Sequence, residues 1–211
     1  MAPRSIRIAV AGLLGMLAVG CAGDSDPTTK PTDAVVTREG EDAATAAPLD
    51  VDQYLLHADE GPGLEPLSPP QTDSGEPFPL PEGGAATLAR SGYISTTHQT
   101  GRGDRVAGVS SVLLFETEAG ARDWMTYETS DEVLRHELPD GKFTWFQVPD
   151  VPGATGWTGP DLHGNAIGNV YWTQGRCMML VSIETDGPRV EPLSASAQAI
   201  FARTGGTCPD E

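Results

Sequence analysis

The clearest alternation of hydrophobic and polar positions lies in the C-terminal third of the chain. Residues 166–172 and 177–184 are two strand-like runs joined by Thr173–Arg176, where Gly175 can supply the positive φ of a tight hairpin. The second run is apolar almost throughout, which predicts a central strand. After Pro192, a helix that ends at Gly205 and Gly206 is predicted by apolar residues at i, i+4, i+7 and i+8: Leu193, Ala197, Ile200 and Phe201.

The middle of the chain predicts further strands and one more helix. Residues 93–97 are rich in β-branched and aromatic types, residues 109–115 are strongly apolar, and residues 143–148 alternate between aromatic and polar side chains. A helix begins after Thr117, with Ala121, Trp124 and Met125 on one face. The order strand, strand, helix, strand, hairpin, helix predicts an α+β fold with a mostly antiparallel sheet and helices packed on one face.

The N-terminal part lacks such patterns. Residues 22–48 contain no aromatic residue and are dominated by Thr, Asp, Ala, Glu and Pro, which predicts a disordered tether. Asp50 is placed to cap a short helix with Tyr54, Leu55 and Leu56. Residues 60–82 hold seven prolines, so they are expected to lie over the domain as extended chain or to loop free.

The first 21 residues have the pattern of an export signal. Arg4 and Arg7 precede an apolar run, Ile8–Val19, which ends in small residues before Cys21. The run is shorter than the about 20 apolar residues that a membrane-spanning helix needs, so a secretory signal is predicted. The predicted organisation is a signal peptide (1–20), a tether (21–48), a short helix with a Pro-rich segment (49–85) and the α+β domain (86–211).

The sequence Ala18-Val19-Gly20-Cys21 resembles the lipobox of bacterial lipoproteins, although Ala18 stands where that family usually has Leu. The resemblance implies that Cys21 is acylated on its sulfur and becomes the first residue after cleavage. Its acyl chains, palmitate among them, would then hold an exported protein on the outer face of the cell membrane. The alternative is an ordinary secretory signal, with Cys21 an unmodified thiol.

A looser resemblance involves the folded part. The helix carrying Trp124 after an apolar strand, and the final strand-strand-helix unit, are similar to small extracytoplasmic sensor or Mog1/PsbP-like domains of actinobacterial lipoproteins and receptor kinases. This resemblance implies a sensor-type or binding domain.

The charge limits the possible partners. The chain has 13 Lys and Arg residues and 30 Asp and Glu residues. Removal of the predicted signal peptide takes away Arg4 and Arg7, which leaves 11 basic and 30 acidic residues and a net charge of −19. Such a chain repels phosphate backbones and anionic lipid surfaces, so nucleic-acid binding is not expected. The acidity could instead favour cations or basic partners, or serve solubility alone.

The other two cysteines, Cys177 and Cys208, are expected to pair if Cys21 carries lipid, because disulfides persist in exported compartments. Two buried free thiols are the alternative.

The sequence contains no catalytic signature and predicts no metal or cofactor, so an enzyme is not expected. The four histidines lack the spacing of a helical zinc site: His57, His98, His136 and His163. The most promising segment is the loop 152–165, where Trp157 and His163 lie among glycines and prolines. An exposed Trp157 could bind a sugar ring or a partner surface; the alternative is that it packs into the core.

The predicted function is a non-catalytic ligand-binding or sensor-type module, with Trp157 and His163 as ligand-binding residues and a small envelope molecule as ligand. The alternative is a structural or accessory lipoprotein that docks on an envelope protein. A hydrolase is a third reading. A pocket near Trp157 would favour the first, a flat apolar patch the second, and carboxylates clustered with a histidine the third.

Overall fold

The computed structural model describes residues 51–208 except 58, 62–63, 67–68, 76, 78–79, 104–105, 139–141, 161–164 and 188–189, and describes only the backbone of residues 65, 66, 136 and 137. The predicted signal peptide, the predicted lipidation site Cys21, the predicted tether and His163 therefore lie outside the described residues.

The described chain forms one antiparallel sheet with four helices. The strands are β1 (Glu65–Pro66), β2 (Gln71–Asp73), β3 (Tyr93–Arg102), β4 (Val106–Phe115), β5 (Thr144–Gln147), β6 (Thr155–Pro160), β7 (Ala166–Gln174) and β8 (Cys177–Thr185). The helices are α1 (Gly84–Arg90), α2 (Glu118–Glu128), α3 (Asp131–Glu137) and α4 (Val190–Thr204), preceded by a single 3₁₀ turn, Asp52–Tyr54. The strand order is β1-β3-β4-β8-β7-β6-β5, and β2 also pairs with β3.

Helices cover both faces of this sheet. Successive strand residues point to opposite faces, so Val112 on β4 and Leu113 after it belong to different cores. Face A, the side of Val112, packs against Leu193, Ala197 and Ile200 of α4. Face B, the side of Leu113, packs against Ala121 and Trp124 of α2. The predicted α+β class with an antiparallel sheet is confirmed, but the helices lie on two faces because β4, β7 and β8 are apolar on both sides.

The predicted C-terminal hairpin is confirmed. β7 and β8 pair from Ala166↔Thr185 to Gln174↔Cys177, and the turn uses Gly175 with a φ of 51°. β8 lies between β4 and β7, as its nearly continuous apolar sequence predicts. α4 ends before Gly205 and Gly206, whose φ values of 63° and 74° are the left-handed values that glycine adopts at a helix end.

The predicted start of α2 is also confirmed. Thr117 has an extended backbone, and its Oγ1 accepts a hydrogen bond from the Gly120 N–H at 3.0 Å. Gly120 allows a close approach, because a Cβ there would lie 2.0 Å from the carbonyl oxygen of Ser91. The helices α1 and α3 and the strand β6 were not predicted from the sequence.

The N-terminal segment is part of the core. Tyr54, Leu55, Leu56 and Leu64 are buried on face A, and the Leu56 N–H donates to Ser110 Oγ at 2.8 Å. The core therefore extends N-terminal to the boundary at residue 86 that the sequence predicts. Of the Pro-rich segment, β1 and β2 lie along β3 as edge strands, where proline is tolerated. A three-residue 3₁₀ turn replaces the predicted helix, and Asp50 is outside the described residues.

The predicted disulfide is confirmed. Cys177 at the start of β8 is bonded to Cys208 just beyond α4, with their Cα atoms 5.5 Å apart, and both residues are buried. The bond fastens the end of α4 to the sheet that this helix covers. Within the described part of the chain, none of the helices is both long and apolar enough to span a membrane.

Candidate ligand surface

Trp157 is a core residue. It lies on β6, is 1% exposed and packs in the face-B core. In the sheet it stands between Trp145 of β5 and Asn169 of β7. Residues 155–160 therefore form a strand with partners on both sides instead of the expected loop, and of the two alternatives for Trp157, core packing is the one observed. A role for Trp157 in ligand binding stays a prediction, as does that of His163, which is outside the described residues.

The glycines that make residues 152–165 resemble a loop permit close packing of β6. A Cβ at Gly156 would lie 2.4 Å from the ring of Phe146 and 2.8 Å from the Asn169 carbonyl oxygen. A Cβ at Gly159 would lie 2.5 Å from the Lys142 carbonyl oxygen. Glycine is thus required at these two positions because neighbouring residues approach the backbone closely, and not because the chain must be flexible there. Close backbone approach is one of the uses of glycine within strands.

Among the described residues, the strands β3, β4 and β8 are most deeply buried on face B at the end that α2 covers. At the α2 end, Leu113, Phe115 and Met178 are buried. Farther along the same strands, Thr100 of β3, Val109 of β4 and Ser182 of β8 face the same side and are partly exposed. We call this part of the sheet, together with Asn169 next to Ser182, the open end of face B. Its row of side chains is mainly hydroxyl and amide in character.

Charged groups border this surface. At the next position on the same face, two residues farther along each strand, Arg102 of β3 is exposed and Glu184 of β8 is partly exposed. Glu184 Oε1 accepts a hydrogen bond from Asn165 Nδ2 at 2.7 Å. On the side nearer α2, His98 stands opposite Ser111 and is partly exposed. The uncharged row thus lies between a charged border and the covered part of the sheet.

Two buried polar atoms near this surface have no hydrogen-bond partner among the described residues. Asn169 is 6% exposed; its Nδ2 donates to the Tyr171 hydroxyl at 3.0 Å, whereas its Oδ1 is unpaired. Trp157 Nε1 is also unpaired. Leaving a buried polar atom unpaired costs about 1–3 kcal/mol. One orphan is an acceptor and the other a donor, and they belong to residues that stand opposite each other on β7 and β6.

The described structure has a depression of about 270 Å³ that is open to solvent. It is lined by Leu56 and Leu64 of the N-terminal segment and by residues 99–101 and 108–110 of the sheet, which include Thr100 and Val109. Another, of about 180 Å³, involves Thr158 and Leu193. Within the described residues, no group of three or more His, Cys, Asp or Glu side chains is placed to hold a metal ion.

Arg203 of α4 fixes the segment through which the N-terminal chain enters the fold. Its guanidinium donates to the carbonyl oxygens of Gln53, at 3.0 Å, and Leu55, and forms an ion pair with Glu60. Glu60 is held in turn, since its carbonyl oxygen accepts from Ser196 Oγ at 3.1 Å. Burial lowers the pKa of Arg203, and the nearby Asp59 carboxylate opposes this shift.

No protein-family model matches the chain, and no curated protein sequence matches it significantly. Two solved structures are similar to it in fold. The extracellular domain of PknH from Mycobacterium tuberculosis has a TM-score of 0.47 and 16% sequence identity, with 67% of this chain and 85% of that chain covered. An uncharacterised protein from Mycobacterium smegmatis, the Rv0999 orthologue, has a TM-score of 0.41 and 12% identity, with 75% of this chain and 97% of that chain covered. Both similarities are too distant to assign a family or a function to this chain.

Proposed function

We propose that this protein is an exported, lipid-anchored and non-catalytic module that binds a neutral, polyhydroxylated envelope molecule at the open end of face B. The observation that carries the binding proposal is the row of hydroxyl and amide side chains: Thr100 and Ser182 are partly exposed, and the buried Asn169 beside Ser182 has an unpaired acceptor. The proposed cellular location, outside the cytoplasm and on the membrane, is supported by other features of the chain: the disulfide and the N-terminal signal.

The disulfide supports export. Cytosolic thiols are kept reduced, whereas disulfides form and persist outside the cytoplasm. Cys177 and Cys208 are both buried and bonded, so this bond is part of the folded protein. The third cysteine, Cys21, follows the apolar run of the N-terminal signal.

Acylation of Cys21 would anchor the domain. Each buried methylene contributes about 0.8 kcal/mol, so one acyl chain binds a membrane weakly and two or more bind it stably. Residues 22–50 would connect this anchor to residue 51, where the described fold begins.

The anchor is tested by cell fractionation. The wild-type protein is expected in the membrane fraction, and Cys21→Ser is expected in the soluble exported fraction. A Cys177→Ser/Cys208→Ser double variant is the matched control, since it loses two cysteines but keeps the anchor and should remain with the membrane. Membrane binding of Cys21→Ser would contradict lipid anchoring.

The chemistry of the open end favours a neutral ligand. Hydroxyl and amide groups pair with the hydroxyls of sugars and polyols without a charge to neutralise. The net charge of −19, from 11 basic and 30 acidic residues after the signal, disfavours anionic ligands.

A titration with neutral envelope-type mono- and disaccharides, followed by amide chemical shifts, tests the binding site. The expected changes cluster at Thr100, Val109, Ser182 and Asn169, and the sugar is recovered unchanged. Ser182→Gln should weaken binding at least tenfold by occupying the row. Ser194→Gln, a partly exposed serine on α4 across the sheet, should not.

The absence of shifts with all sugars, or equal binding by both glutamine variants, would contradict a sugar site at the open end. Release of a cleaved or altered sugar would contradict the non-catalytic role.

A further inference from the structure

The two edges of the sheet differ in how they are closed. At one edge, β1 and β2 pair with β3, and the chain around them contains Pro66, Pro69 and Pro70. Proline cannot donate a ladder hydrogen bond, so this edge is poorly suited to accept another strand. At the other edge, β5 is the outermost strand. Within the described structure, no backbone hydrogen bond joins its outer side to another element.

Apart from its short length, β5 lacks the features that usually protect an edge strand. Its four residues, TWFQ, include no charge, proline or glycine. Thr144, Trp145 and Gln147 are exposed, and Trp145 at 40% is one of the most exposed large apolar side chains in the described chain. An uncharged edge with aromatic residues is a template for pairing with another strand.

The register identifies the free backbone groups of β5. Pro160 of β6 has no N–H, so its pair with Ala166 of β7 is of the non-hydrogen-bonded type. Hydrogen-bonded and non-hydrogen-bonded pairs alternate along a ladder, so Thr158 and Gly156 direct their backbone groups toward Thr144 and Phe146 of β5. Trp145 and Gln147 therefore direct their N–H and C=O groups outward.

The geometry points to a second copy of this chain as the occupant of this edge, through antiparallel pairing of β5 with β5. A twofold axis at Phe146 places Trp145 of each copy opposite Gln147 of the other. Both of these pairs are hydrogen-bonded pairs, so all four outward groups of each copy are used. Phe146 then stands opposite its own counterpart in a non-hydrogen-bonded pair, the closer kind, which suits aromatic side chains.

Charge supports this register. With Phe146 opposite itself, Lys142 of one copy lies at the turn containing Pro149 and Asp150 of the other, and symmetry repeats the contact. Lys142 and Asp150 are both exposed, and β5 itself adds no charge to the interface. Such a short strand pair buries little surface, so the association is expected to be weak, as small interfaces are.

Directed disulfide crosslinking tests this register in the secreted chain carrying Cys21→Ser, whose other two cysteines are bonded to each other. Proteins with Trp145→Cys and with Gln147→Cys are each expected to remain monomeric on oxidation, and a mixture of the two to form a covalent heterodimer. Gln71→Cys, on the exposed strand β2 at the opposite edge, replaces Gln147→Cys in the control mixture and should not crosslink.

Failure of the first mixture to exceed the control would overturn the proposal. Protection of Gln147→Cys from alkylation in dilute, monomeric protein would also overturn it, because the edge would then be occupied by the chain's own N-terminal residues.

Sedimentation of the same Cys21→Ser protein from about 10 µM to about 1 mM provides a second measurement that needs no introduced cysteine. Self-association is expected to be lost in Gln147→Lys and retained in Gln71→Lys, a matched pair of exposed glutamines on the two edges. A wild-type protein that stays monomeric throughout, or association that survives Gln147→Lys, would overturn the proposal.

Discussion

Replacement of Arg203 by Met should release the N-terminal segment from α4 while preserving much of the apolar side chain. Arg203 donates to the carbonyl oxygens of Gln53 and Leu55 and pairs with Glu60. The Arg203 and Glu60 side chains are 22% and 17% exposed, so this ion pair is shielded from water far more than a surface pair. Methionine removes every donor and leaves the Glu60 carboxylate without its cation.

The size of the effect follows from these contacts. A hydrogen bond that involves a charged group contributes about 1.5–3 kcal/mol net. Water can rehydrate the exposed Gln53 and part of Glu60 after the change, so we expect a total loss of about 2–4 kcal/mol rather than the sum of three such bonds. For a domain of this size that loss lowers Tm by roughly 5–15 °C.

Hydrogen exchange locates the effect. The Leu56 amide donates to Ser110 Oγ and is buried, so it exchanges when the segment opens. A loss of about 2–4 kcal/mol speeds this exchange between about 30-fold and several hundred-fold, because 1.36 kcal/mol is a factor of ten. Arg122→Met is the matched control: its ion pair with Glu118 is more than half exposed, so we expect a change below about 1 kcal/mol. Unchanged exchange at Leu56 in Arg203→Met would refute the proposed clamp.

Three further outcomes test the fold. Reduction of the disulfide, which links residues 31 apart, should lower the unfolding free energy by about 3–4 kcal/mol, measured by denaturant titration with and without reductant; an unchanged midpoint would contradict its structural role. Burial raises the pKa of Tyr93 despite its hydrogen bond to Thr96, so the stabilisation from its neutral form should be present below about pH 10 and lost above it. Tyr93→Phe should show a shallower alkaline loss than wild type, and equal slopes would argue against this assignment. Gly168→Ala should cost about 1–3 kcal/mol in thermal unfolding, because its Cβ would lie 2.5 Å from Leu193 Cδ1. Gly187→Ala, with no atom within 4 Å, should be neutral.

The sequence predicted those elements whose signals are local. The β7–β8 hairpin needs only two apolar runs and a glycine at the turn, and Gly175 has the required positive φ. The final helix follows from its own periodicity, and Leu193, Ala197 and Ile200 are buried as expected. The pairing of Cys177 with Cys208 follows because that helix returns its end to the start of β8.

Features that depend on distant residues were not predicted. Residues 155–160 have the Gly and Pro content of a loop, yet β5 and β7 supply partners on both sides and fix them as a strand. The second helical layer had a signal in the run of Val112, Leu113, Leu114 and Phe115, since consecutive apolar residues require two covered faces. That signal identifies buried faces but not the helices that cover them.

The open end of face B was also inaccessible to sequence reasoning, because its row arises from the register of β3, β4, β8 and β7 together. Thr100, Val109, Ser182 and Asn169 lie far apart along the chain, and none stands in a recognisable motif. Hydroxyl and amide side chains in a half-buried row look in sequence like ordinary alternation. Only the pairing of strands brings them onto one surface.

The position of the N-terminal segment makes the proposed activities separable. This segment packs on face A beside α4 through Tyr54, Leu55 and Leu56, whereas the open end lies on face B and β5 forms the far edge of the sheet. An anchor that precedes residue 51 therefore joins the domain on face A, opposite the open end of face B. It follows that Ser182→Gln should weaken sugar binding without affecting self-association, and Gln147→Lys should do the reverse. If one of these substitutions abolished both activities, the open end and the β5 edge would have to be coupled through β6 and β7, and separate sites on the same sheet would be the wrong description.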